Sequence, residues 1–250
     1  MSVRDDRRQY QKIAAEIRDD IATGRLRPDE PIPSLAEIQR EQKVSYSTAQ
    51  AVHQLLKDWG LVEARGNFGL YVLDQRPIVN HMTEMTIPGA NGTRRTWRQI
   101  AADHGMIGTQ QVIEVGREPI PPDVANAFGL EPNTPLVHRV RLLIADGRPA
   151  QISTSYYPDA AVAIVPRLAS PEKLPTNSMQ LLADAGLATV SGDDMVFGRH
   201  ATAPEGVLFG VAPGEPVTEV LRVALSADGE VVSVERMVSM SARLRQVWKF

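Results

Sequence analysis

The sequence contains no cysteine, only 5% aromatic residues and no long apolar run. The absence of cysteine excludes disulfide bonds, thiol nucleophiles and cysteine-ligated zinc, and it fits a reducing cytoplasm. No apolar stretch approaches the roughly 20 residues that a membrane-spanning helix needs, and residues 1–8 are too charged for the start of a secretory signal. We therefore expect a cytoplasmic protein that has no membrane partner.

The sequence also lacks an excess of charge of either sign. Its 27 Lys and Arg residues and 30 Asp and Glu residues leave a net charge of −3, and residues 1–72 contain 11 basic and 11 acidic side chains. A protein that binds DNA by nonspecific attraction alone is normally more basic than this. Any DNA binding by this chain must therefore depend on where individual charges lie and on contacts with bases.

Three helices are predicted within the first 60 residues. Apolar residues recur at helical spacing over residues 9–23, and Gly24 stands where a helix C-cap is expected. Ser34 and Glu37 form a capping box that begins a short second helix ending near residue 42. Ser45 caps the third helix, which ends at Gly60. The apolar stripe predicted for this third helix consists of Ala49, Val52, Leu56 and Trp59.

Two short strands around Gly66 and Asn67 follow the third helix and predict a hairpin. A helix-turn-helix followed by a hairpin is the layout of a winged helix, a module whose second helix enters the DNA major groove. Prolines and glycines then interrupt all periodicity, which indicates a linker over residues 75–95, with an extended strand at residues 78–85 left open. We expect a DNA-binding domain at residues 1–74 and a second domain at residues 96–250.

The second domain contains an internal duplication. The sequence FGLEPNTP at residues 128–135 resembles FGVAPGEP at residues 209–216. Each copy is followed by an apolar strand, an Asp-Gly turn and a second strand, and Asp-Gly between alternating strands is a strong hairpin signal. The two Asp-Gly turns are Asp146-Gly147 and Asp228-Gly229. Two such units predict an α+β fold around a mostly antiparallel sheet.

Together, these patterns resemble a GntR-family transcription regulator of the HutC type. The resemblance covers residue 9 to the C-terminus and is more specific in its N-terminal half. It implies an N-terminal winged helix joined to a ligand-sensing UTRA domain, whose fold is related to that of chorismate lyase. It further implies a homodimeric repressor that binds a palindromic operator, with an affinity controlled by a small ligand through reorientation of the winged helices.

The candidate recognition surface departs from the family pattern. Ala36, Tyr46 and Gln50 stand where arginines are usual, and Asn67 and Phe68 stand where glycine and arginine are common. We therefore expect an operator other than the family's commonest one, with Gln50 able to read an adenine edge. The candidate DNA-binding residues are Ser34, Lys43, Ser45, Tyr46, Ser47, Thr48, Gln50, Gln54, Arg65, Gly66 and Asn67. The alternative for each residue is an ordinary solvated side chain.

The candidate effector site begins with Arg139 and Arg141, which lie on one face of a strand by strict alternation. Two guanidinium groups on one face can clamp a carboxylate or phosphate. The resemblance adds a serine, Ser178, and a glutamate, Glu235, with Ser241 and Gln180 where tyrosines are usual. The candidate effector-binding residues are Arg139, Arg141, Ser178, Glu235 and Ser241. We expect an anionic ligand, although the lost tyrosines argue against a sugar phosphate. A solvent-facing edge strand, and a salt bridge from Glu235 to Arg222 or Arg236, are the alternatives.

The sequence shows no nucleophile elbow, phosphate loop or metal-ligand spacing, and its five histidines are scattered. We therefore expect that the protein is not an enzyme and that it has no cofactor and no metal site. Two alternatives remain open. One is a constitutive repressor whose sensing domain serves only for dimerisation. The other is a lyase-like enzyme with a vestigial winged helix.

Overall fold

The computed structural model describes residues 3–66, 69–73, 77–86, 92–211 and 214–249. The chain divides into two compact units, Met1–Arg76 and Pro77–Phe250. Each unit has its own hydrophobic core.

The described part of the first unit consists of three helices and a small hairpin. Its elements are α1 (Val3–Ala22), α2 (Leu35–Gln42), α3 (Tyr46–Asp58), β1 (Val62–Ala64) and β2 (Leu70–Val72). The two strands pair antiparallel, and Pro31 bridges to Tyr71 at the side of the hairpin. Helices and strands share one core, which includes Ile13, Ile17, Ile38, Val52, Leu56 and Val72. The winged helix predicted from the sequence is confirmed.

Trp59 is an exception to the predicted core of α3. The helix ends at Asp58, and Trp59 follows as its C-cap residue. Trp59 is 39% exposed, and the guanidinium of Arg18 lies 5.7 Å from the centre of its ring. The prediction for this residue was wrong because the buried stripe ends at Leu56, two residues before the helix ends at Asp58.

The second unit is built on a six-stranded antiparallel sheet. The strands of the unit are β3 (Ile78–His81), β4 (Gly108–Pro119), β5 (Pro135–Ala145), β6 (Arg148–Tyr157), β7 (Ser191–His200), β8 (Pro216–Leu225), β9 (Val231–Met240) and β10 (Leu244–Val247). The large sheet has the order β4-β5-β6-β9-β8-β7. The helices are α4 (Met82–Thr86), α5 (Trp97–Ala102), α6 (Pro122–Phe128), α7 (Asp159–Ile164), α8 (Ser178–Asp184) and α9 (Ala203–Phe209).

The sheet contains the duplication seen in the sequence. Each half is a strand, a helix and a hairpin, namely β4-α6-β5-β6 and β7-α9-β8-β9. α6 and α9 end at Gly129 and Gly210, whose φ angles of +65° and +66° suit a residue without a Cβ. The halves meet where β6 pairs with β9. The predicted α+β fold with a mostly antiparallel sheet is confirmed.

Helices cover both faces of this sheet. On one face, α6 packs against Leu136 and α9 packs against Leu142. On the opposite face, α7 and α8 pack near Val137, because successive residues of a strand point to opposite sides. This second face carries Arg139, Arg141, Arg222 and Glu235, and we call it the arginine face.

The segment expected as a linker contributes structure to the second unit. β3 pairs in parallel with β10, near the C-terminus, and α4 follows directly. Ile78 is buried with Trp97, Leu143 and Leu244. The partner strand lies more than 160 residues away in sequence, so no local pattern could reveal the pairing. The domain limits at residues 74 and 96 stay a prediction.

Candidate DNA-binding and ligand-binding sites

The start of α3 is held by a cluster of hydroxyl groups. Ser45 is the N-cap, and its Oγ accepts from the backbone N–H of Thr48 at 3.2 Å. The same Oγ lies 2.9 Å from Ser47 Oγ and 2.8 Å from Thr48 Oγ1. Thr48 is buried, whereas Ser45 and Ser47 are exposed. Of the three hydroxyls, those of Ser45 and Ser47 are therefore the ones accessible to a phosphate, while Thr48 stabilises the helix start.

α2 is capped at both of its ends. Ser34 and Glu37 cap α2 reciprocally, with Ser34 N donating to Glu37 Oε2 at 2.7 Å. These bonds from Ser34 lower the pKa of Glu37. Lys43 ends α2 in the left-handed conformation, with a φ of +53°, and its side chain is exposed. Ser34 thus has a structural role, and Lys43 is accessible for a phosphate contact.

The exposed face of α3 presents Tyr46, Ser47 and Gln50. Tyr46 is 53% exposed, although it is a large aromatic residue at the first position of the helix. Gln54 is also exposed, but its Nε2 donates to Asp58 Oδ1 at 2.8 Å one turn further on. Tyr46 and Gln50 are therefore the side chains of α3 best placed to reach base edges.

Arg65 in the hairpin has carboxylate partners within the first unit. Its Nη2 donates to Asp29, its Nε donates to Glu63 Oε1 at 3.0 Å, and its guanidinium lies 4.9 Å from the ring centre of Tyr71. A phosphate contact would have to share or displace these carboxylates. Gly66 adopts a φ of +54°, as the turn requires, and Asn67 lies outside the described residues.

His53 is a residue of this surface that the sequence analysis missed. Its Nε2 lies 2.8 Å from the carbonyl oxygen of Pro33, so Nε2 carries the proton and donates. Burial lowers the pKa of His53, which keeps the ring neutral near pH 7. The bond ties α3 to the start of α2. No local pattern announces a contact between residues 20 positions apart.

The arginine face contains a buried ion pair between Arg141 and Glu235. Arg141 Nη2 donates to Glu235 Oε1. It also donates to the hydroxyls of Ser153 and Ser155, both at 2.8 Å. Burial raises the pKa of Glu235, but the charge of Arg141 and the hydroxyl of Ser153 outweigh it and hold that pKa below its usual value. Arg141 Nε has no acceptor among the described residues. The structure therefore brings together two of the five predicted effector-binding residues.

Arg139 is on the same face but does not present a free fork of donors. Its Nη1 donates to the carbonyls of Leu168 and Ser170, and its Nη2 donates to the carbonyl of Glu172 at 2.8 Å. The side chain is buried, and only its Nε lacks an acceptor within the described ranges. Arg139 thus anchors the 168–172 loop over the sheet.

Ser178 and Ser241 are the two remaining candidate effector-binding residues. Asn177, one residue earlier, is the N-cap of α8, because its side chain accepts from Gln180 N at 2.7 Å. Ser178 is the first helical residue and is buried. Ser241 follows β9, is exposed, and has its Oγ 3.1 Å from Thr218 Oγ1. Neither has a hydrogen bond to Arg141 or Glu235.

Arg222, named from the sequence as a possible salt-bridge partner of Glu235, lies on this face but pairs with Asp194. Its Nε and Nη2 donate to the two carboxylate oxygens of Asp194 at 2.7 and 2.6 Å, and Nη2 also lies 3.4 Å from the carbonyl of Met82. Trp248 Nε1 donates to the same carboxylate at 2.6 Å. Burial raises the pKa of Asp194, but Arg222 outweighs it and lowers that pKa. Arg222 Nη1 has no acceptor among the described residues.

A cleft of about 450 Å³ lies beside α8 in the second unit. Its wall includes Arg94, Gln180, Asp184 and Thr189. The guanidinium of Arg94 donates to the carbonyls of Thr86 and Thr189, at 2.9 and 3.3 Å. Thr189 Oγ1 is buried without a partner in the described part of the chain. The residues that line the cleft therefore include a buried arginine and a buried threonine whose hydroxyl has no partner among the described residues.

Within the described ranges, no helix combines the length and apolar character needed to cross a membrane. Nor do three or more His, Asp or Glu side chains of these residues cluster as a metal site would require. A winged helix with an exposed recognition helix, joined in one chain to a second domain built on a sheet, is the architecture of a DNA-binding regulator.

Comparison with known proteins gives the particular family. The profile of the UTRA domain matches residues 103–245, and that of the bacterial regulatory proteins of the gntR family matches residues 9–72. The chain belongs to the GntR-family transcriptional regulators that carry a UTRA effector-binding domain.

Relatives of full length support this assignment. An uncharacterized HTH-type transcriptional regulator of Streptomyces coelicolor is 25% identical over 97% of this chain and 91% of its own length. Another from Rhizobium meliloti is 27% identical over 91% of this chain and 88% of its own. Among solved structures, PhnF from Mycobacterium smegmatis shares the fold, with a TM-score of 0.60 and 20% identity over 95% of this chain and 98% of that one.

Proposed function

We propose that this protein is a homodimeric transcriptional repressor that binds a palindromic operator and releases it when a small anion binds the second unit. The observation that carries this proposal is the pairing of an exposed recognition helix with a buried, arginine-rich site in one chain.

The DNA-binding half of the proposal rests on the start of α3. Tyr46 and Gln50 project from this helix toward solvent, where they can meet base edges in a major groove. Ser45, Ser47 and Lys43 lie at the positive end of the helix and beside it, where phosphates bind favourably. Two copies of such a module are needed because one buries too little surface for specific affinity.

The ligand-binding half rests on charge and on unused donors. Arg139, Arg141 and Arg222 face two carboxylates, Glu235 and Asp194, so these five side chains leave one positive charge in excess. Each arginine also has one buried side-chain nitrogen without an acceptor among the described residues. A carboxylate or phosphate supplies both the missing charge and the missing acceptors.

The proposed coupling between ligand binding and operator release begins at Arg222. Its Nη2 reaches the carbonyl of Met82 in α4, close to where the second unit begins in sequence. An anion that draws Arg222 toward itself would change this hold on the 78–86 segment. Control of the operator requires different ligand affinities in two arrangements, and such coupling typically amounts to about 1–3 kcal/mol.

The test is fluorescence anisotropy with the DNA upstream of the gene, at fixed salt, against scrambled competitor. We expect selective binding that dicarboxylates or phosphorylated metabolites release. Gln50→Ala should reduce the difference in binding free energy between the operator and scrambled DNA by about 1–3 kcal/mol. Lys43→Ala should weaken binding to both DNAs equally, and it should lower the slope of log K against log salt concentration by about 1. Gln11→Ala, at an exposed position of α1, is the control. Equal loss on both DNAs for Gln50→Ala would contradict its role in base reading.

A constitutive repressor is the second candidate, and one observation favours it. Most donors of Arg139 already bind backbone carbonyls, and Arg141 is already paired with Glu235. Thermal-shift measurements against acidic metabolites separate the two candidates. A rise in melting temperature that Arg141→Lys abolishes supports ligand control, whereas no response to any anion supports the constitutive repressor.

A further inference from the structure

β7 is an edge of the large sheet that exposes apolar side chains. Among the described residues it pairs only with β8, in a register that runs without a break from Ser191 to His200. The middle of the strand carries Met195, Val196 and Phe197, which are 62%, 47% and 39% exposed. A long, regular edge strand with exposed apolar residues offers unused backbone N–H and C=O groups to another strand.

The opposite edge of the same sheet is built differently. β4 holds the corresponding place in the duplication, but its pairing with β5 shifts register between Val112 and Glu114. Its exposed apolar residue is Ile113, at 37%, and its neighbours are mostly polar or charged, including Gln110, Gln111, Glu114, Arg117 and Glu118. Bulges and charges are the means by which proteins keep an edge strand unpaired. β4 has them, and the middle of β7 does not.

We propose that β7 is the surface through which two copies of this chain associate, with the strands antiparallel and the two sheets continuous across the junction. This inference rests on the proposed function, which requires two copies related by a two-fold axis. An antiparallel edge strand is its own complement, because a two-fold axis perpendicular to the sheet pairs it with an identical strand.

The sequence of β7 selects the position of that axis. Directly opposite residues of neighbouring strands share a face, so the axis must lie midway between two copies of the same residue. With the axis at Val196, Met195 lies opposite Phe197 of the partner subunit and Asp193 lies opposite Arg199 of the partner subunit. This register joins apolar residues to apolar ones.

Neighbouring registers fit less well. An axis at Met195 would place Asp193 opposite the partner's Phe197. An axis at Phe197 would place Met195 opposite the partner's Arg199. The guanidinium of Arg199 already binds Glu205 and Glu219, which fixes its position at the end of the strand. The axis at Val196 is therefore the register that the side chains favour.

The absence of cysteine makes this register directly testable. Val196→Cys gives each chain a single thiol, which at the axis faces its own copy. Opposite residues of antiparallel strands have Cα atoms about 4.5–5.5 Å apart, within the range of a disulfide. We expect mild oxidation of the full chain to give a covalent dimer on non-reducing gels. Ile113→Cys on β4 is the matched control and should form no disulfide, so that it runs as a monomer on the same gels.

A second variant tests the interface without a covalent bond. Val196→Lys places two ammonium groups face to face, and we expect the dimer dissociation constant from sedimentation equilibrium to rise at least about tenfold. Circular dichroism should be unchanged because the side chain is exposed, and Ile113→Lys should leave the dimer intact. Operator affinity should fall toward that of a half-site.

The outcomes separate this inference from the proposed function. If the unmodified protein is a dimer and both Val196 variants leave it so, without a disulfide for the cysteine variant, the interface lies elsewhere and the repressor proposal stands. If the unmodified protein is a monomer that binds its operator alone, both proposals fail. A cross-link for Ile113→Cys as rapid as for Val196→Cys would also overturn the assignment to β7.

Discussion

Arg141 and Arg222 occupy the same place in the two halves of the duplicated sheet. Each follows the proline that begins its strand by six residues, and each points to the arginine face. Arg141 bonds to a carboxylate of the other half, Glu235 on β9. Arg222 bonds to a carboxylate of its own half, Asp194 on the edge strand β7. Equivalent positions have thus acquired different partners.

The difference follows from a third position. Glu235 and Ser153 both follow the glycine of their hairpin by six residues. Ser153 is thus the first-half counterpart of Glu235, but it has no charge. Arg141 pairs with Glu235 of the second half, whereas Arg222 has no corresponding carboxylate in the first half. It uses Asp194 and the carbonyl of Met82 instead. Arg141 is therefore bonded within the large sheet, whereas Arg222 also bonds to the carbonyl of Met82, in the segment that begins the second unit.

Removal of Glu235 should break this arrangement most severely. Glu235→Ala leaves Arg141 buried without a counter-charge, and we expect the free energy of unfolding to fall by about 3 kcal/mol. Urea unfolding monitored by circular dichroism measures it. The double variant Arg141→Met/Glu235→Leu, which buries no charge, should recover most of the loss. A double variant as unstable as Glu235→Ala would show that packing, not charge, is responsible.

Removal of the charge at Asp194 should have a smaller and more local effect. Asp194→Asn retains one acceptor for Arg222 and lies at the sheet edge, so we expect a loss of about 2 kcal/mol. Hydrogen exchange should accelerate most in β3, α4 and β10, because Trp248 and Arg222 both contact this carboxylate. Equal acceleration throughout the sheet would contradict the link between Arg222 and this segment.

The pH dependence of stability distinguishes the two carboxylates from exposed ones. The pKa values of Glu235 and Asp194 are lowered in the folded protein. Their contribution is therefore complete above the pKa of the unfolded chain and is lost as the pH falls through the folded values. The free energy of unfolding, measured with urea, should fall less steeply between pH 7 and pH 3 for Glu235→Gln than for the unmodified protein. Parallel curves would exclude Glu235 as a source of the acid sensitivity.

The ion pairs of the arginine face also mark the limit of sequence reasoning. Capping by Ser34 and Ser45 was predictable, because a cap and the amides that it binds are three residues apart. The hairpins at Asp146 and Asp228 were predictable for the same local reason. The partners of Arg141 and Arg222 lie 94 and 28 residues away. Alternation could place both predicted arginines on one face, but it could not show which donors the fold had already used.

The mildest test removes a hydroxyl that serves both members of the Arg141–Glu235 pair. Ser155 Oγ accepts from Arg141 Nη2 at 2.8 Å and donates to Glu235 Oε1 at 3.2 Å. Ser155→Ala leaves the pair intact and supported by Ser153, so we expect a loss of about 1 kcal/mol in urea unfolding. Ser233→Ala, at a buried position on β9, is the matched control. A loss as large as that of Glu235→Ala would mean that the serines, rather than the opposite charge, hold Arg141 in the sheet. The contrast with Arg222 would then rest on hydroxyl groups instead of carboxylates.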